Sequence, residues 1–558
     1  MQGDIDGAYD AFFKATWNAA WQDSGYMGLA QIDMLREDYV NGIDHINRSL
    51  YRNWLNHKGR QLKTSFLRKT GDYAQAEALI NESLLMDKFN MGCRFESYLI
   101  NILQGKSEEA AAAKAEMKAL MRGAVHSYLE YAIDYASAGM YDEAAQLLSF
   151  VTEDAEVTYP MVYFALGYFA SKMGKKDEAV ALYKKAETIC PDYCFPNKIE
   201  EVLMLNDAMK LNPEGAKAPY YLGNFHYAAR IYDEAVACWE KSVSIDDTYP
   251  TVLRNLSLAY YNKLNNPQKA LATLEKAYKL DESDARILME LDQLYKKLRY
   301  SHRQRLDFLN AHAEVVEQRD DLCIERITLY NQLGEYQTAY DLINSRKFHP
   351  WEGGEGKVTS QYVFCRVELA KIALKEGRYA DAVRLLKETE KYPDNLGEGK
   401  LSMAEENDIH YWMGCAYEGL GEADLAKEYF ERATKGSAEP AIAFFYNDQQ
   451  PDKIFYQGLA WRKLGDEDKA RSRFNKLIKH GEKHLFDKVK IDYFAVSLPD
   501  LLIWDDDLNV RNLLHCNLVM GMGYLGLGDK EQARKFLSEV VHLDINHQVG
   551  VRLLAMCE

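Results

Sequence analysis

A small residue recurs every 34 positions near the start of the chain, at Ala8, Gly42, Ala76, Ala110 and Ala144. A fixed period of this length means that one supersecondary unit is stacked many times, and it decides the fold before any other feature. The same phase continues, with wider gaps, at Ala179, Ala235, Ala339, Ala382, Ala426, Ala470 and Ala533. Ala270 joins it if the preceding turn, NKLNNPQ, holds one extra residue. Five residues before the small residue stands a glycine, as in Gly3, Gly71, Gly105, Gly139, Gly174, Gly334, Gly377, Gly421, Gly465 and Gly528. Two helices joined by a tight turn need this pair. The glycine ends the first helix in a left-handed cap without a Cβ penalty. The alanine lets the second helix approach the first closely.

The segment YFALGYFASKMGKKDEAVALYKKAETICPDY contains Leu166-Gly167, Gly174, Ala179, Tyr183, Ala186 and Pro191. It resembles the tetratricopeptide (TPR) repeat of 34 residues. In that frame the glycine is position 15 and the recurrent small residue is position 20. The resemblance implies an all-α fold, an α-solenoid of about 13 helix-turn-helix repeats in a right-handed superhelix. Pro160, Pro250 and Pro451 open first helices, where a missing N–H costs nothing. Tyr39, Tyr73, Tyr141, Tyr232, Tyr336 and Tyr379 share position 17, which accounts for part of the 38 tyrosines as corner packing.

The period breaks in places. Residues 196–213 read as one helix without a mate, and spacings later stretch to 43, 44, 44 and 63. The extra residues fall between repeats, at 349–361, 395–407, 437–453 and 486–509. The expected organisation is a partial repeat and linker over 1–22, a regular array over 23–350 with the half-repeat near 196–213, and an array with loop insertions over 351–485. An apolar insertion follows over 486–512, then a last repeat and capping helix over 513–558. The insertion carries Tyr493, Phe494, Leu498, Leu501, Leu502, Ile503 and Trp504, too apolar for a bare loop, and is expected to dock on the solenoid. Because Gly3 and Ala8 stand at positions 15 and 20, the chain starts mid-repeat, so an upstream element is expected.

FNMGCRFE (89–96), INSRKFHPWEGGEGKVTSQY (343–362) and KIDYFAVSLPDLLIWDDDLNVRN (490–512), with KATWNAAWQDSGY, resemble something narrower. They are similar to the C-terminal TPR half of a bacterial family whose N-terminal domain is carbohydrate-associated and of unknown function. That resemblance implies a bacterial context tied to carbohydrate use and carries over no chemistry.

Net charge is −17, which opposes a nucleic-acid-binding surface. No apolar run is long enough to span a membrane. The N-terminus lacks the basic and apolar regions of a secretory signal. Nine scattered cysteines read as reduced thiols, so a cytoplasmic location is expected. WEGGEGKVT has Gly356-Lys357 but fails the phosphate-loop pattern at Trp351 and Val358. His480 and His484, Cys190 and Cys194, and the run Asp505-Asp506-Asp507 lack the partners a metal site needs. No catalytic set stands out, so no enzyme, metal or cofactor is expected.

What remains is the concave face, which first helices line in TPR arrays. The resemblance places Lys217, Tyr220, Tyr221, Asn224, Arg254, Asn255, Tyr261, Asn262, Arg286 and Glu290 on it, with Trp351 and Trp504 as loop contacts. A chaperone-type carboxylate clamp matches at Asn224 and Asn255 but fails at Tyr220 and Glu290. The expected function is a non-catalytic scaffold for a protein or peptide partner, an acidic one by Arg254 and Arg286. A homo-oligomer stays open, and the alternative is an accessory module of a carbohydrate-active enzyme.

Overall fold

The computed structural model describes residues 3–153, 157–351, 353–402, 404–441, 450–489 and 502–558. Tyr493, Phe494, Leu498 and Leu501 therefore lie outside the described residues. Among those described there are thirty α-helices, two short 3-10 turns and no β-strand.

The repeat frame is written in the backbone. Gly71, Gly105, Gly174, Gly334, Gly377, Gly421, Gly465 and Gly528 all have φ between +72° and +84°, and a Cβ added to any of them would touch nothing within 4 Å. Glycine is needed there for conformation and not for space. Glu37, Arg230 and Asn265 hold the same left-handed turn in repeats that lack it. The next residue is often the N-cap: the Asp38, Asp72, Asp466 and Asp529 carboxylates each accept from a backbone N–H three residues on. Six second helices begin at Tyr39, Tyr73, Tyr141, Tyr232, Tyr336 and Tyr379.

Position 20 is buried without exposure at Ala76, Ala144, Ala179, Ala235, Ala270, Ala339, Ala382, Ala470 and Ala533. A second close approach joins position 8 to position 24. A Cβ on Gly167, Gly223, Gly414, Gly458 or Gly521 would lie 2.4–2.6 Å from Tyr183, Trp239, Phe430, Phe474 or Leu537, in that order. The glycine on the first helix thus makes room for the large side chain on the second. Ala179→Leu is expected to lower stability by about 1–3 kcal/mol through overpacking. Urea unfolding measures this, and a change below about 0.5 kcal/mol would show the register to be wrong.

The chain forms two compact units, Met1–Leu256 and Ser257–Glu558. In the first, the helix Ile5–Ala15 buries no residue completely, though the Phe12 ring lies over Gly28. The unpaired helix Ile199–Leu211 packs on Met161–Lys172 and on Lys217–Ala228, and Asp207 accepts from the Tyr183 hydroxyl at 2.7 Å. Arg68, buried, spans Glu96 at 2.6 Å and Glu143 at 3.1 Å, and Ser65 and Tyr135 also donate to Glu96.

In the second unit, helices from Lys357–Lys375 through Ala423–Ala433 build an apolar core around Phe430, and helices from Pro451–Lys463 through Gln548–Ala555 build another around Phe474. The chain then returns onto the first helices Asp320–Gln332 and Lys357–Lys375. Gln332 donates to the Asn546 carbonyl at 2.5 Å, Gln361 to Gln548 Oε1 at 2.9 Å, and Arg552 to the Asn331 carbonyl at 2.7 Å.

Candidate functional site

The second unit carries an open cavity of about 1740 Å³ lined by first helices, by the Trp351 loop and by segments 502–511 and 543–549. Tyr261, Arg286, Trp351 and Trp504 all line it. The other sequence-expected residues, Lys217, Tyr220, Tyr221, Asn224, Arg254 and Asn255, belong to the first unit.

Around this cavity the helix side chains hold a non-helical piece of the chain itself, bent at Ile503 and Trp504. The Asn262 amide donates to the Ile503 carbonyl at 2.8 Å and accepts from the Asp505 N–H at 2.8 Å. One asparagine thus reads both an acceptor and a donor of a peptide backbone. Between those two contacts the Trp504 side chain turns inward. It is 1% exposed, lies edge-on to Tyr261 at 5.2 Å, and donates its indole N–H to the Glu290 carbonyl at 3.0 Å. Lys263 pairs with Asp505 at 3.0 Å, and Lys297 with Asp506 at 3.0 Å. Burial alone would raise the Asp506 carboxyl, but Lys297 and Arg511 hold it below the usual range.

The floor of the cavity is ionic. Arg305, fully buried, binds Asp292 through two nitrogens at 3.0 and 2.6 Å, Glu325 at 2.7 Å and Asn546 at 3.2 Å. Lys296 adds a second cation to Glu325 at 3.0 Å. Burial would raise Glu325, yet Lys296 and Arg305 hold it far below the usual carboxylate range. At Asp292 burial prevails over Arg305, and its carboxyl is raised.

At the rim, Trp351 lies against Gly354, where a Cβ would be 2.0 Å from the indole. Gly356 opens the helix Lys357–Lys375, and its N–H donates to the Glu398 carboxylate at 3.0 Å. The protein's own carboxylate thus occupies the anion position of this glycine-rich loop. Arg286 is exposed and pairs with buried Glu290 at 3.1 Å.

In the first unit the expected residues are more inward than their phase suggested. Tyr221 is fully buried against Phe164, and Tyr220 is nearly so against Tyr249. Lys217 reaches the Glu187 and Ile189 carbonyls at 2.6 and 2.5 Å. Asn224 accepts from Trp239 and from Asn255, and Arg254 donates to Asn255 Oδ1.

No group of three or more metal-ligating side chains is placed to hold an ion among the described residues, and all nine cysteines are free thiols. The His480 and His484 rings lie 4.6 Å apart and tilted by 40°, and His484 pairs with Asp487 at 2.6 Å. His480 also meets His515, whose Nε2 bonds the Ala441 carbonyl at 2.8 Å. Burial, helped by His480, pushes the His515 pKa down from 6.5 to about 4. Between those values the unfolded chain binds a proton that the native chain refuses. Stability is therefore full above pH 6.5 and falls as pH drops toward 4, by about 3 kcal/mol from this group. His515→Gln is expected to remove that share of the acid loss, as measured by urea unfolding at pH 7 and pH 4.5. An unchanged pH dependence would contradict it.

Tetratricopeptide-repeat profiles match residues 162–193, 254–284 and 408–435, and a second profile of the same description matches 454–480. Each match spans a first helix, the turn and a second helix. Among solved structures the chain is similar to MamA, at 20% identity over 33% of this chain and 95% of that one, with a TM-score of 0.17. It is similar to YrrB, described as a TPR protein with an unusual peptide-binding site, at 18% identity over 38% and 95%, TM-score 0.18. It is also similar to the Cut9–Hcn1 assembly, at 12% identity over 95% of both chains, TM-score 0.26. Within an all-helical chain, the four matched segments are tetratricopeptide repeats.

Proposed function

We propose that the protein is a non-catalytic scaffold that binds a non-helical segment of a partner protein along the first-helix face of its repeats. The segment it suits carries one bulky apolar anchor followed by acidic residues. The observation that supports this is the grip of Asn262 on the Ile503 and Asp505 backbone, with Trp504 in a slot and Lys263 and Lys297 on the following carboxylates. The two main-chain bonds are independent of side-chain identity and give affinity, while the slot and the lysines give selectivity. In the first unit, Asn224, Arg254 and Asn255 are a second polar stretch of the same kind of face, backed by the buried Tyr220 and Tyr221, and Asn224 and Asn255 are its polar readers.

A labelled peptide of the sequence from Leu502 to Leu508 tests this by fluorescence anisotropy. The intact protein, holding its own copy, should bind it weakly. Trp504→Ala, which empties the slot, should bind it at least tenfold more tightly, and adding Asn262→Ala should abolish the gain. Absence of saturable binding to Trp504→Ala, or binding indifferent to Asn262, would refute the reading.

A further inference from the structure

Six large apolar side chains in the first unit stand outside every core and fall into two rows at the repeat period. Trp17, Tyr51 and Leu85 are 34 residues apart, and so are Trp21, Leu55 and Phe89. All six are between 52% and 89% exposed. Single exposed apolar residues are ordinary, but two rows in strict phase over three repeats make a contiguous apolar edge. The rows end where the phase reaches Ala119 and Gly123.

The geometry of the edge follows from the helices that carry it. Tyr51 and Leu85 lie at the ends of the second helices Tyr39–Arg52 and Tyr73–Met86. Trp21, Leu55 and Phe89 lie just before the first helices Gln22–Leu35, His57–Lys69 and Met91–Leu103. Those first helices pack side by side. Successive rungs are therefore one helix-packing distance apart, about 8–10 Å. Seven residues of an α-helix rise about 10.5 Å. An amphipathic helix with apolar residues seven apart would thus meet one rung per heptad, and three rungs need about 15 residues.

The charge beside the rungs is the opposite of the chain's net −17. The Arg52 guanidinium lies 5.8 Å from the Tyr51 ring and the Lys88 ammonium 5.4 Å from the Phe89 ring. Lys14 is exposed one turn before Trp17. The nearby carboxylates are already engaged: Asp87 accepts from the Phe89 N–H and pairs with His57, and Asp23 accepts from Ser24 and Asn53.

We infer that this edge is a second docking surface, distinct from the first-helix face, and that its partner is an acidic amphipathic helix of another protein with apolar residues in heptad spacing. Bulky apolar anchors supply affinity, and the basic rim selects the partner's charge.

A display library of helices of about 18 residues, randomised in charge and in the positions of apolar residues, is selected against the full chain. The helices recovered should be net acidic with apolar residues seven apart. Tyr51→Ser/Leu85→Ser should weaken their binding at least tenfold with an unchanged circular dichroism spectrum, and Arg52→Glu/Lys88→Glu should weaken it as well. The proposal is overturned if the recovered helices lack that period or that charge, or if they bind both double variants as they bind the original protein. It is also overturned if the edge instead binds vesicles of phosphatidylcholine and phosphatidylserine, or pairs with a second copy, through the same residues.

Discussion

Trp504→Ala should release the segment around Asp505 from the helix face. The indole is fully buried between Tyr261 and the Glu290 carbonyl. Truncating a buried tryptophan costs about 3–5 kcal/mol, because the transfer energy is lost and a cavity remains. The lysine pairs with Asp505 and Asp506 cannot replace it, since exposed ion pairs contribute roughly 0–1 kcal/mol each. The Asp505 amide, which now donates to Asn262, should lose at least about a hundredfold of its hydrogen-exchange protection. Amides of the helix Ala285–Lys297 should keep theirs. An unchanged Asp505 amide would mean that the segment is held by something other than its anchor.

Arg305→Ala should be the most damaging single change in the ionic floor. Arg305 is fully buried and serves two carboxylates and the Asn546 side chain. Removing one member of a buried pair leaves an uncompensated charge, at a cost of about 3–5 kcal/mol. Lys296 still reaches Glu325, but Asp292, already raised by burial, keeps only the more distant pull of Lys296. Without Arg305, burial would raise the Asp292 carboxyl further. The paired replacement Arg305→Met/Asp292→Leu should recover most of the loss, since apolar side chains of similar volume replace the ions. Urea unfolding decides: a loss below about 1 kcal/mol for Arg305→Ala would show that water reaches the network.

Much of the fold was legible because repeats impose one local solution many times. The spacing of Gly71, Gly105 and Gly174 to Ala76, Ala110 and Ala179 is a backbone rule, and the turns obey it. The aspartate caps at Asp38, Asp72, Asp466 and Asp529 carried the same information and were passed over, although a capping residue directly after the turn is a readable signal. The turns at Glu37 and Arg230 could not be found by searching for glycine.

The candidate site was legible only in its pieces. Tyr261, Asn262 and Trp504 were each singled out, but Trp504 lies more than 240 residues beyond the other two, and Asn262 meets the backbone at 503 and 505 by the return of the chain. No local pattern encodes that meeting. Arg305, Asp292 and Glu325 were missed for a related reason. In a helical chain with 68 basic and 85 acidic residues, nothing in the sequence separates a buried ion cluster from solvated charges. Position 5–6 of a first helix does not ensure an exposed side chain either, as Tyr220 and Tyr221 make plain.

The most direct test of peptide reading by the first helices is photocrosslinking. The peptide from Leu502 to Leu508, with a benzophenone in place of its tryptophan, is added to Trp504→Ala and the crosslinked residues are identified. Crosslinks at Tyr261, Asn262 and the helix Ala285–Lys297 are the expected result. Crosslinks scattered over the second helices of the repeats, with none on those residues, would contradict it.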